Sequence, residues 1–182
     1  MRVGVLASGT GSILEALLGA GTEVVVVVTD RRCRALAVAE AAGVPAVLVE
    51  RESFGSDFDR LAHTHQVVDV LAGHQVDLVA MAGYGTILDK PIHDAYGGRI
   101  LNTHPSLLPA FPGWHSVAAA LEAGVEVTGC TVHLATLEVD AGEILAQEEV
   151  AVLPGDTVEK LHERIKEVER RLYPATIAAF GS

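Results

Sequence analysis

A chain of 182 residues, 49% of them hydrophobic, has enough apolar material for one domain with a sizeable core and is not disordered by composition. Its formal net charge of −11 argues against a nucleic-acid partner, which needs a basic face, but leaves room for a small anion held at a helix N-terminus. The longest apolar run, Val24 to Val28, is far too short to cross a bilayer, no secretory leader is visible, and Cys33 and Cys130 make no disulfide framework, so the expectation is a cytoplasmic protein with no membrane partner.

Strand and helix patterns alternate from the start. Residues 2–7 read as a strand and 11–20 as a helix with Ile13, Leu14, Leu17 and Leu18 on one face. Glu23 to Thr29 is almost all valine, which suits a strand buried on both faces of a parallel sheet. Alanine-rich residues 34–42 predict a helix ended by Gly43 and Pro45, and Ala46 to Val49 a short strand. The pattern over 56–73 predicts a helix with Phe58, Leu61, Ala62 and Leu71 inward. Asp77 to Ala82 is the fourth strand, 91–96 a short helical piece and 99–104 the fifth strand. A proline-rich loop, 105–114, holds the only tryptophan, Trp114, and a helix over 115–123 follows, with His115 as a first-turn residue. Strands over 127–135 and 142–152 and a long helix over 157–180, broken near Pro174, complete the chain. The fold class is therefore α/β: one domain, a doubly wound, mostly parallel sheet with an antiparallel C-terminal part and a long C-terminal helix.

Three places carry chemistry. In Asn102-Thr103-His104-Pro105, the amide and the imidazole leave a strand two residues apart, hence on one face, and Pro105 ends the strand. Strand ends are where open α/β sheets place their chemistry. On the later strand, alternation puts Thr131 and His133 on one face, and Asp140 follows in a turn closed by Gly142. The third place is the loop Ser8-Gly9-Thr10-Gly11-Ser12, joining strand to helix. It lacks the third glycine of a dinucleotide fingerprint, because Leu14 stands there, and no Gly-Lys-Ser/Thr follows, so it reads as a site for one phosphate or, alternatively, as a tight strand-to-helix turn with Ser12 as helix cap. Asp30 imitates a ribose-binding acid, though weakly without that glycine. Among the eight histidines, His63-x-His65 lies in a helical segment where residues two apart face different ways, and no metal motif occurs, so no metal is expected. No G-x-S-x-G elbow surrounds Ser106, which excludes the common serine-hydrolase arrangement.

The run Asn102-Thr103-His104-Pro105-Ser106-Leu107-Leu108-Pro109, with His133 and Val139-Asp140-Ala141-Gly142 following in that order, closely resembles the glycinamide ribonucleotide formyltransferase family, from the Ser8–Ser12 loop to Glu169. The resemblance implies a Rossmann-like formyltransferase domain over 1–182, with a phosphate-binding half (1–100) and a catalytic, folate-binding half (101–182). It implies catalytic Asn102, His104 and Asp140, supported by His133 and Thr131. Gly11, Ser12 and Ile13 would take the substrate phosphate and Glu169 the ribose hydroxyls. Tyr84, Gly85, Ile87, Leu88, Asn102 and the loop Glu138, Val139, Asp140, Ala141 and Gly142 would line the folate pocket. The implied co-substrate is 10-formyltetrahydrofolate and the acceptor glycinamide ribonucleotide. No metal or nucleic acid is implied, and the chain would act as a monomer or homodimer. Helical spacing independently sets Leu161, Ile165, Val168 and Leu172 on a core stripe with Glu169 at its edge. Two positions depart from the family: Gly85-Thr86 stands where Met-Arg is frequent, and Ile13 where Asn is frequent, which leaves the phosphate to backbone N–H groups. Competing readings are a 10-formyltetrahydrofolate hydrolase, a formyltransferase for another amine, and a non-catalytic nucleotide-binding module.

Overall fold

A computed structural model describes residues 1–181. Among the described residues, seven strands form a mixed, mostly parallel sheet, and six helices accompany them, as expected from the alternating pattern. The chain divides into two compact units, Met1–Leu101 and Asn102–Ser182.

In the first unit, β1 (Val3–Ala7), β2 (Val24–Thr29), β3 (Ala46–Leu48) and β4 (Leu78–Met81) lie in the order β3-β2-β1-β4, every pair parallel. Every residue of β1 is buried, and Val26, Val27 and Val28 of β2 have no exposure. Each large apolar side chain buried this fully contributes about 1.5–3 kcal/mol, so the valine run secures β2 in the sheet. Helices α1 (Ser12–Gly19), α2 (Arg34–Ala41), α3 (Arg60–Gly73) and α4 (Lys90–Tyr96) connect the strands. The helix expected from residue 56 begins at Arg60, because the Asp59 carboxylate caps the Ala62 N–H at 2.9 Å. Its inward face also differs from expectation. Leu61 and Ala62 are exposed, Phe58 precedes the helix, and the buried residues are His63, Thr64, Val67 and Leu71. The apolar pattern misled because two inward positions are polar. His63 Nε2 meets the Tyr84 hydroxyl at 3.1 Å, and Thr64 donates to Arg60 O while accepting from Asp89 N–H.

β5 (Ile100–His104) crosses from the first unit into the second. The second unit continues with α5 (Ser116–Glu122), the antiparallel pair β6 (Val127–Leu134) and β7 (Ile144–Ala151), and α6 (Val158–Phe180). Leu161 and Ile165 of α6 pack with Val117, Cys130 and Val150, and the partly buried Val168 and Leu172 complete the stripe that the spacing predicts. The expected break at Pro174 does not occur; α6 runs through it. A mid-helix proline costs about 3 kcal/mol by removing one hydrogen bond. Tyr173 and Ile177, 0% and 2% exposed, contribute a comparable amount by burial and hold the helix together.

Candidate active site

Asn102 and His104, leaving β5 two residues apart, both reach one buried cluster with His133 of β6 and Asp140 of the β6–β7 connection. Asn102 Nδ2 lies 3.1 Å from His133 Nε2. His133 Nδ1 lies 3.0 Å from Leu134 O. A carbonyl only accepts, so Nδ1 carries the proton and Nε2 accepts from the Asn102 amide. Burial holds His133 below the usual imidazole range, against the opposing pull of the Leu134 carbonyl and Asp140 and with a lesser push from His104. A neutral His133 therefore fixes the orientation of Asn102 and leaves its second N–H for another acceptor.

Asp140 joins the two histidines. Oδ2 stands 3.4 Å from His104 Nδ1 and Oδ1 3.6 Å from His133 Nε2, with the Asp140 side chain only 7% exposed. The Gly113 N–H donates to Oδ2 at 2.8 Å. The other nitrogen of His104, Nε2, meets Phe111 O at 2.9 Å. Both His104 nitrogens thus face acceptors. Asp140 and Phe111 have φ of 57° and 52°, in the left-handed region that aspartate tolerates and that costs Phe111 about 1–2 kcal/mol. Two such residues touching one histidine mark a local geometry imposed by the surrounding structure.

Thr131 does not enter the cluster; it holds the proline-rich loop that borders it. Its hydroxyl donates to Ser106 O at 2.6 Å and accepts from Leu108 N–H at 3.1 Å and Gln147 Nε2 at 2.8 Å, while Gln147 also donates to Leu108 O. Gln147, Phe111 and Gly113 were not singled out from sequence. Gln147 pairs with Thr131 across the β6–β7 register, which only the folded hairpin reveals. In the loop after β6, Glu138, Val139 and Ala141 are exposed, so Asp140 is its inward member. Gly142 closes the turn as expected: a Cβ there would stand 1.7 Å from Leu134 O, so only glycine fits.

Glu169, on α6, is half-buried. Burial pushes its carboxyl above the ordinary range, while the Thr103 hydroxyl bonds to it. Thr103 Oγ1 also lies 3.4 Å from Cys130 Sγ, whose thiol is pushed up to about 12 by burial.

In the first unit, the loop Ser8–Ser12 leads into α1, but its cap differs from expectation. Gly11 is the N-cap, at φ 76°, and no side chain caps the helix; Ser12 is the first helical residue. A loop that turns left-handed at the cap suits glycine, and the free N–H groups of the first turn remain uncapped. The Ile13 side chain is buried, so this position offers only its backbone outward. Asp30 is not available as a ribose acid. Its carboxylate is buried and gripped by Arg31 and Thr86. Of the remaining expected residues, Tyr84 and Leu88 are buried, Gly85 is half-buried and Ile87 is exposed. The Tyr84 hydroxyl is tied to His63, and burial pushes the phenol upward.

An amide, two imidazoles and a carboxylate thus meet in one buried cluster of the second unit, and the first unit carries an uncapped, glycine-led helix start. Residues 1–177 match the formyl transferase family, and the chain belongs to that family. Phosphoribosylglycinamide formyltransferase from Mycobacterium tuberculosis is 49% identical over the whole chain and 85% of its own length. The trifunctional purine biosynthetic protein adenosine-3 of Gallus gallus is 44% identical over the whole chain, which spans 18% of that larger protein. The crystal structure of glycinamide ribonucleotide transformylase 1 from Symbiobacterium toebii is 44% identical, with a TM-score of 0.91 over 97% of this chain and 85% of that one. Within the family, the chain stands with the phosphoribosylglycinamide formyltransferases. Among the described residues no helix is long and apolar enough to cross a membrane.

Proposed function

We propose that the chain transfers the formyl group of 10-formyltetrahydrofolate to the primary amine of glycinamide ribonucleotide, a step of purine biosynthesis. The observation that carries this reading is the buried cluster Asn102–His133–Asp140–His104. The amine attacks the formyl carbon and forms a C–N bond, giving a tetrahedral intermediate with negative charge on oxygen. The C–N10 bond then breaks, the amine loses a proton and N10 gains one. The developing charge calls for preorganised donors, and loss of one typically costs about 100- to 1,000-fold in rate. Asn102, aimed by His133, supplies its second amide N–H. His104 supplies Nε2–H, for which the substrate oxygen competes with the Phe111 carbonyl. Catalytic hydrogen bonds commonly form only once substrate is bound. Asp140 holds the protonated His104 ring and relays the proton leaving the amine.

In the same reading, the phosphate is taken by the backbone N–H groups of Gly11, Ser12 and Ile13 at the start of α1, where the helix dipole favours an anion. Glu169 accepts from the ribose hydroxyls, and a carboxyl poised above its ordinary range by burial gains from such donors. Tyr84, Gly85, Ile87, Leu88 and the loop 138–142 receive the folate. The chain acts in the cytoplasm on these small molecules. The test is the folate absorbance change on mixing the protein with 10-formyltetrahydrofolate, with and without glycinamide ribonucleotide. Turnover that requires the ribonucleotide is expected. Turnover without it would identify a hydrolase, and none in either case would refute the assignment.

A further inference from the structure

Asp30, which closes β2, is the most heavily bonded acid of the first unit, and the transfer chemistry does not use it. Its side chain has no exposure. It accepts from Arg31 Nε at 2.9 Å, Arg31 Nη2 at 3.1 Å, the Thr86 hydroxyl at 2.8 Å and the Ser8 hydroxyl. Ser8 Oγ in turn accepts from the Gly85 N–H at 2.5 Å, and the Ser8 N–H donates to Gly83 O at 3.1 Å. A buried carboxylate is tolerated only when its lone pairs are filled, and charge-assisted bonds of this kind are short and directional. The carboxylate is thus a fixed point to which two chain segments are tied: the glycine loop after β1, through Ser8, and the turn after β4, through Thr86 and Gly85.

The fit at Gly85 shows how tightly this point is built. A Cβ at position 85 would stand 2.4 Å from Arg31 Nη2 and 3.2 Å from Asp30 Oδ2. The Arg31 guanidinium occupies the space that a larger residue would use. It also offsets the Asp30 charge, so the lock adds no net negative charge to a segment that leads into an anion-binding helix start. The Tyr84 hydroxyl, bonded to His63, anchors the same turn from its other side.

We infer that Asp30 is a positioning residue for both substrates, holding the folate-facing turn Tyr84–Leu88 and the phosphate-facing loop Ser8–Ile13 in one fixed relation. The inference rests on the function proposed above. The segments it ties are those assigned to the two substrates, and an acid that only stabilised the sheet would not need to bond to either.

The test measures the Michaelis constants of both substrates in Asp30→Asn, Thr86→Val and Thr86→Ser, beside the unfolding midpoint. Asp30→Asn keeps the shape but removes the charge and turns an acceptor into a donor facing Arg31 or Thr86. It should raise KM for both substrates about tenfold, with kcat changed by no more than about twofold, as expected for the loss of bonds to a charged group. Thr86→Val removes one hydroxyl at constant shape and should raise KM for the folate more than for the ribonucleotide, and Thr86→Ser should restore it. Lowered midpoints with both KM values unmoved would show that Asp30 is only structural and would overturn the inference. If Asp30→Asn does not fold, the isosteric Thr86→Val decides alone. Wild-type protein without ribonucleotide-dependent turnover would instead overturn the proposed function, and this inference with it. The wild-type assay thus separates the two failures.

Discussion

Replacing Asp140 with Asn probes the cluster with the least disturbance. The residue sits at φ 57°, and asparagine, like aspartate, tolerates that conformation. With the amide oxygen in the place of Oδ2, the Gly113 N–H keeps its acceptor and His104 Nδ1 still faces oxygen. What is lost is the charge. Two unit charges at the observed 3.4 Å interact by about 5 kcal/mol at an effective dielectric of about 20, an upper bound on what the carboxylate gives a protonated His104. The new amide NH2 also faces His133 Nε2, which Asn102 already occupies, so the aim of Asn102 loosens. Together these place the loss of kcat at about 100- to 1,000-fold, the range found when a preorganised transition-state interaction is removed. The assay is ribonucleotide-dependent deformylation at saturating substrates, with the unfolding midpoint as the control for folding. A folded variant that retained more than about a tenth of wild-type kcat would refute the role given to the carboxylate.

Asn102→Ala, which removes the donor and leaves His133 Nε2 unpaired, is expected to lower kcat by about 100- to 1,000-fold with smaller changes in KM, measured in the same assay. Gly142→Ala drives a methyl into Leu134 O, the carbonyl that fixes the His133 tautomer, so a loss of about 1–3 kcal/mol or more in urea unfolding should accompany a loss of kcat. Thr131→Val removes three hydrogen bonds of the proline-rich loop and should cost about 3 kcal/mol, read by the same unfolding experiment. Burial lowers the proton affinity of His63, His93, His133 and His162 in the folded chain, so the unfolded chain binds more protons below the ordinary histidine value of 6.5. Stability should therefore fall as pH is lowered through about 6.5, with Glu169, shifted upward, opposing as one group against four. A flat unfolding midpoint between about pH 7.5 and 5.5 would contradict this.

Much of the fold was legible because its signals are local. A five-valine run can hardly be anything but a strand buried on both faces, and Asn102 and His104 share a face by the period of the strand alone. The cluster was only half legible. His133 and Asp140 could be named, but the tautomer that aims Asn102 depends on a carbonyl, Leu134 O, that no sequence pattern marks. The inward face of α3 was misread because His63 and Thr64 satisfy their polar atoms through Tyr84, Arg60 and Asp89, partners that become neighbours only on folding. Asp30 was misread for a related reason. An acid at the end of the second strand looks like a ribose ligand until Arg31, Ser8 and Thr86 are seen to fill its lone pairs. At Pro174 the local rule for proline is correct but is offset by the burial of Tyr173 and Ile177, which only the packed core supplies.

The bond from Gly113 to Asp140 gives the cluster an internal reporter. A backbone amide donating at 2.8 Å to a carboxylate should resonate far downfield and exchange slowly with solvent, whereas the exposed Glu138, Val139 and Ala141 should exchange freely. Glycine amides stand apart in a nitrogen–proton spectrum of isotope-labelled protein, so this single signal reports on the bond to the Asp140 carboxylate. Titrating either substrate while watching Gly113 would show whether the acid is set before binding or drawn into place by it.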